Sequence, residues 1–189
     1  MFNGAASFNA AAYQLTRSDV KITDPNNTAL LIPIGEQQTK GLELSLNGEI
    51  ARGWQMIASY SYMDGKVTKA VGNTTAPLPG AVASPLQGKT LALTPRHTAS
   101  LWTLKSIEQW IPGVQVGGGV TYRGGNYAAI DNAIKLPAFT TVDLAAYYRP
   151  APKGMSLALN LKNIFDRRYY ISANNDVGIM PGAPRSVEL

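Results

Sequence analysis

One histidine, His97, no cysteine and 12 acidic residues bound the chemistry open to this 189-residue chain. A single imidazole and no thiolate exclude metal sites built on clustered His or Cys ligands, and the missing cysteines exclude disulfides. Glu43 and Asp143 share the inward parity of two alternating segments, and paired carboxylates are the usual equipment of acid–base catalysis. No nucleophile or base accompanies them, so they read as polar lining. Gly117-Gly118-Gly119 lacks the strand-then-helix setting of a phosphate loop and lies inside an alternating segment. It reads as a place of close packing or a bend. His97 stands where a strand starts and is assigned a structural role.

The elements that must position any site are strands. Leu157, Leu159 and Leu161 alternate with Ala158, Asn160 and Lys162, which sends the leucines to one face and the polar residues to the other. The same period runs through Leu42, Leu44 and Leu46 against Glu43, Ser45 and Asn47. It recurs in Trp54 to Tyr62 with Ile57 as an exception, in Val114 to Arg123, and in Val142 to Tyr148. Strands are predicted over 3–20, 31–50, 54–66, 97–105, 114–125, 139–148 and 155–170, with a last one beginning at Arg185. Asp24-Pro25-Asn26-Asn27 is a strong turn signal. The final strand stops at Val187-Glu188-Leu189, so the chain reads as cut.

Charged residues make up 15% of the sequence, below the roughly 25% of soluble domains, while 45% are hydrophobic. No run of about 18 apolar residues exists, which excludes a transmembrane helix. The net charge of +5 comes from scattered Lys and Arg, which excludes a clustered nucleic-acid surface. The first ten residues carry no basic segment and no clean apolar stretch, so no signal peptide is read. Alternation alone fits a soluble sandwich or a membrane barrel. Connections alternate between short (51–53, 106–113, 149–154) and long (70–94, 126–137, 172–184), as periplasmic turns and external loops do in outer-membrane barrels. Trp54, Trp110, Tyr147 and Tyr148 gather at the short-turn side, and Tyr60, Tyr62, Tyr122, Tyr169 and Tyr170 at the other. Two aromatic belts favour the barrel.

Four segments, in order, resemble the C-terminal part of TonB-dependent siderophore receptors. Gly41-Leu42-Glu43-Leu44 is similar to a recurrent strand of that family. Thr94-Pro95-Arg96-His97-Thr98-Ala99-Ser100-Leu101-Trp102 resembles a segment most like the catecholate branch. Asn160 to Tyr170, with its Asn163-Ile164-Phe165-Asp166, resembles the penultimate strand, and Pro181-Gly182-Ala183-Pro184-Arg185 the entry to the last.

The resemblance implies an all-β antiparallel transmembrane barrel segment of about eight strands, residues 1–189 forming the C-terminal part of a 22-stranded barrel without its plug or the end of its final strand. It implies a ferric-siderophore receptor of the bacterial outer membrane rather than an enzyme, energised by the TonB–ExbB–ExbD system through a plug region not in these residues. The iron arrives held by the siderophore, so no cofactor or metal ligand is expected from the protein. The surrounding partners are outer-membrane lipid and lipopolysaccharide, with no nucleic acid. A ferric catecholate is anionic and aromatic, which points to basic residues and tyrosines toward the long-loop side. Lys66, Lys69, Lys89, Arg96, Arg123, Lys135, Arg167 and Arg168 outnumber Asp64, Asp131, Asp166 and Asp176 there. Arg123 leads because its parity matches Thr121. Tyr127 follows it in the loop, and Arg168 and Tyr170 continue the face of Asn160 and Lys162. Two rivals stand beside this reading: an autonomous eight-stranded outer-membrane barrel with a structural or adhesive role, and a soluble β-sandwich binding module.

Overall fold

A computed structural model describes residues 6–23, 27, 29–70, 86–149, 154 and 156–189. Asp24-Pro25-Asn26 of the expected turn, residues 71–85 of the long loop, and 150–153 of the Pro/Gly turn lie outside the described residues.

The described strands are β1 (Ala6–Thr23), β2 (Leu31–Ala51), β3 (Trp54–Lys69), β4 (His97–Ser106), β5 (Val114–Arg123), β6 (Asn126–Tyr127), β7 (Lys135–Leu136), β8 (Phe139–Tyr148), β9 (Leu157–Lys162), β10 (Tyr170–Ala173), β11 (Ile179–Pro181) and β12 (Ser186–Glu188). Eight of them form one antiparallel sheet in the order β1-β2-β3-β4-β5-β8-β9-β12. Two short ribbons, β6–β7 and β10–β11, stand in the long connections. An up-and-down meander follows from tight turns on one side, because antiparallel neighbours need only a short link.

The register sorts the side chains by chemistry. One ladder row reads Asn9, Ser45, Ser59, Ser100, Thr121 and Thr141 across β1, β2, β3, β4, β5 and β8. The next row along, which projects from the opposite face, reads Phe8, Leu46, Ala58, Leu101, Val120 and Val142. Ser59 and Ser100 share a 2.7 Å hydroxyl hydrogen bond on the polar face. On the apolar face Leu101, Val120, Leu144, Leu157 and Val187 remain exposed. A soluble sandwich would cover such a face with a second sheet; the sheet here has none among the described residues. A closed eight-stranded barrel would pair β12 with β1, whereas these are the two edges of the sheet.

Strands β4, β5 and β8 are each 10 residues long, about the 9–11 needed to cross a bilayer. Strands β2 and β3, at 21 and 16 residues, outlast it at the long-loop end. There the buried residues gather: Val67 with Ile130, and Ala128, Leu136 and Ala173 with Leu93 and Ile179.

The triple glycine is a packing device. A Cβ at Gly119 would collide with the Trp102 ring, which lies across it on the polar face. A Cβ at Gly118, on the apolar face, would stand 3.1 Å from the flexible end of Leu144 and in ordinary contact, 3.6 Å, with the Asp143 carbonyl. Gly119→Val therefore forces Trp102 off its seat and costs about 1–3 kcal/mol by overpacking. Gly118→Ala costs less, because the Leu144 methyl rotates aside. Loss of folded, heat-modifiable mobility on a denaturing gel, followed against temperature, ranks the two variants.

Candidate functional site

Outward of the bilayer-length strands, the chain leaves the ladder and side chains take over its hydrogen bonds. Asn163, just past β9, adopts φ 48° and is almost fully buried. Its own N–H donates to Asp143 Oδ1 at 2.7 Å. Its Nδ2 donates to the carbonyls of Arg167 (2.9 Å) and Ala183 (3.1 Å), and its Oδ1 accepts from the Arg167 N–H at 2.9 Å. Asp166, at φ 51°, accepts from the Arg185 N–H at 2.9 Å, so the turn after β9 grips the entry to β12. Tyr169 lies over Gly182, where a Cβ would collide with its ring, and stacks on Phe139 at 4.3 Å between centroids.

This knot corrects the sequence reading of 155–170 as one strand. Strand β9 ends at Lys162, because Asn163 and Asp166 take left-handed conformations that break the alternation. Arg168 and Tyr170 therefore do not continue the face of Asn160 and Lys162; Tyr170 opens the separate β10–β11 ribbon opposite Pro181. Tyr169 likewise belongs to the knot rather than to an aromatic belt. Tyr147 faces the polar side, where its hydroxyl donates to Asn160 Oδ1 at 3.4 Å. Tyr60 and Tyr62 keep their place on the apolar side, with the His97 ring 5.2 Å from that of Tyr62 and its Nδ1 2.9 Å from the Tyr60 hydroxyl.

Arg123 is where three long connections meet. Its Nη1 donates to Ile171 O at 2.8 Å and its Nη2 to Leu93 O at 3.3 Å. Leu93 N–H in turn donates to Tyr127 O at 2.8 Å. Arg123, Tyr127 and the β10 strand that Tyr170 starts are thus brought together; Arg168 is exposed on the turn after β9. The guanidinium rests on neutral carbonyls, so its charge is left uncompensated, and no salt bridge engages it among the described residues. Three other cations of the set have carboxylate partners: Lys66 and Arg96 share Asp64, at 3.1 and 3.7 Å, and Lys69 pairs with Glu36 at 2.9 Å. Hydrogen bonds from Lys69 and Thr68 hold the Glu36 carboxyl below its ordinary pKa.

Two further features went unread in the sequence. Asn132, at φ 58°, uses its side chain as a strand would: Oδ1 accepts from Thr90 N–H and Nδ2 donates to Thr90 O, both at 2.8 Å. Asp176 lies against Asp131 of the neighbouring loop, and burial, then the Asp131 charge, push its pKa up. The signal for Asn132 and Asn163 was their residue type, since asparagine tolerates left-handed turns better than other side chains. Glu43 and Asp143 form no carboxylate pair, and no cluster of three or more His, Cys, Asp or Glu suited to a metal occurs among the described residues.

A family model described as TonB dependent receptor-like, beta-barrel, matches residues 1–164. The chain is 31% identical over 191 aligned positions to the metal-pseudopaline receptor CntO of Pseudomonas aeruginosa, covering 100% of this chain and 25% of the relative. It is 30% identical to the ferrichrome outer membrane transporter/phage receptor of Escherichia coli K12, covering 94% of this chain and 22% of that one. The crystal structure of the siderophore receptor PiuA from Acinetobacter baumannii superposes with a TM-score of 0.81 at 27% identity, over 99% of this chain and 26% of that one. The chain thus spans about a quarter of the length of the curated relatives it matches.

Asn163→Ala strands the Arg167 amide and two carbonyls and leaves alanine at a positive φ. It is expected to destabilise the 163–186 region by about 3 kcal/mol, read as faster amide exchange at Arg167 and Arg185. For Asp176 the sign follows from its raised pKa. The folded loops hold a proton that the unfolded chain has released, so their anchoring is fullest below about pH 4, the ordinary Asp range, and is lost as pH rises through the raised value. Amide exchange in β10–β11, corrected for intrinsic rate, should quicken over that window in the wild type and stay flat in Asp176→Asn.

Proposed function

The chain belongs to the TonB-dependent receptor β-barrel family, and we propose that residues 1–189 form the C-terminal wall of a larger outer-membrane receptor that takes up a ferric siderophore. The observation that carries this reading is the two-faced sheet: an apolar face for lipid, a hydroxyl-rich face for a wet lumen, and external loops stitched around an arginine that has no salt bridge among the described residues. The relatives named above are receptors and transporters, which supports transport rather than catalysis.

The ligand enters from the long-loop side. Arg123 contributes positive charge at the base of the loops and positions Ile171 and Leu93, while Tyr127, Arg168 and Tyr170 offer rings and charge to an anionic, flat-ringed complex. The siderophore carries the iron, so the protein binds no metal and no cofactor of its own. Energy comes from the TonB–ExbB–ExbD system through a plug region outside these residues. Outer-membrane lipid and lipopolysaccharide surround the apolar face.

The test combines location with uptake. An antibody to the 126–137 loop should find the native polypeptide in the outer-membrane fraction of iron-limited cells, at a mass well above that of 189 residues. Arg123→Gln should leave that band unchanged and weaken ferric-siderophore binding to cells about tenfold, the effect of losing a charge-assisted contact. A band confined to the soluble fraction, or iron uptake indifferent to deletion of the gene, overturns the proposal.

A further inference from the structure

The apolar face carries a groove of about 420 Å³ near the short-turn end, lined by Trp54, Thr103, Lys105, Val116, Gly118 and Leu144. Its floor exists because Gly118, paired with Thr103 on one side and Leu144 on the other, sends no side chain outward. Trp54 and Lys105 are direct ladder partners, and Val116 pairs with Lys105 on its other side. The mouth of the groove is basic. The Lys105 ammonium stands 5.7 Å from the Trp54 ring centroid and donates to the carbonyl of Arg52 at 3.1 Å, which draws it toward the turn and away from the hydrocarbon. The Trp54 indole N–H donates to Thr103 Oγ1, so the ring is held against the wall with its polar edge satisfied. No carboxylate lines the groove; the nearby Glu49, which accepts from the Gly53 N–H at 2.6 Å, has the register of the opposite face.

A shallow apolar groove flanked by a cation and an interfacial tryptophan matches a molecule with a hydrocarbon tail and an anionic head. The geometry points to a binding site for an anionic glycerophospholipid of the periplasmic leaflet: one acyl chain lies over Gly118 beside Leu144 and Val116, and the phosphate meets the Lys105 ammonium at the level of Trp54. Charge complementarity selects the occupant. Hydrocarbon fills any groove on a lipid-facing wall, but a net-negative headgroup, whose phosphate has no ammonium of its own beside it, gains most from Lys105. The inference rests on the membrane reading above.

The test reports on both separately. The full-length receptor is reconstituted in phosphatidylethanolamine vesicles that contain a minor fraction of either brominated phosphatidylglycerol or brominated phosphatidylcholine. The Trp54 signal is the tryptophan fluorescence lost in Trp54→Phe. Brominated phosphatidylglycerol should quench that signal about fivefold more effectively than brominated phosphatidylcholine at equal mole fraction. Lys105→Gln should abolish the preference, Lys105→Arg should keep it, and Gly118→Leu, which fills the floor, should lower quenching by both lipids. Equal quenching by the two lipids in the wild type overturns the site while leaving the wall in the membrane. No quenching by either overturns the membrane reading itself.

Discussion

Hydrocarbon offers no hydrogen-bond partner, so every backbone N–H and C=O that crosses it must be met by a neighbouring strand. That constraint governs this chain. The β5–β8 ladder runs through all 10 residues of both strands, and the β4–β5 ladder from Thr98–Arg123 to Ser106–Gln115, without a register shift. The irregularities on β1 to β3 fall near Ser18 and Val20, Glu36 and Gln37, and Glu49 and Ala51, close to the ends of the strands. Once pairing is uninterrupted, parity is fixed, and a slip of one residue would turn Ser59, Ser100 and Thr121 into lipid and Leu101 and Val120 into the lumen. The wall has almost no core of its own within the span, since its two faces are solvated by different media. Trp102 over Gly119 is one of the few places where it packs against itself.

Beyond the span the logic reverses. Strand pairing gives out, and asparagine, aspartate and arginine side chains supply the missing partners. Asn132 closes one loop against Thr90, Arg123 joins two others through Leu93 and Ile171, and Asn163 with Asp166 sets the crossing into β12. Small apolar clusters around Val67 and Ala128 pack beside the Asn132–Thr90 and Arg123–Leu93 bonds, which are partly buried. The described loop residues are therefore held in a fixed geometry, although they contain little regular structure.

Alternation made the wall legible. The 139–148 strand and the inward parity of Arg123 follow from residue order alone, as do the leucine faces of β2 and β9. The knot after β9 was not legible, because Ile164, Phe165, Tyr169 and Tyr170 look like further strand residues and the break depends on two positive φ values. The partners of Arg123 lie 48 and 30 residues away, and their acceptors are carbonyls, which every residue has. The apparent excess of external cations also needed coordinates, since Lys69 is neutralised by Glu36 across a ladder rather than by a sequence neighbour. The resemblance to a family located the Pro181–Arg185 segment; only the structure showed that Gly182 is there for Tyr169 and the Arg185 amide for Asp166.

The unequal strand lengths shape the long-loop end. Tyr62 pairs with His97 at the start of β4, yet β3 runs on to Lys69. Seven further residues extend that strand by roughly 23 Å along its own axis, at about 3.3 Å per residue. On the β5–β8 side the wall stops at Arg123 and Phe139, and loops fold back instead. Those loops lean on the tall side: Ile130 packs against Val67, and Asn132 bonds to Thr90, which itself bridges to Lys66. The outer end is thus a lopsided cup with a stiff strand wall on one flank and stitched loops on the other. Arg123 sits at its base, holding the loops through the carbonyls of Ile171 and Leu93, with no salt bridge to it among the described residues.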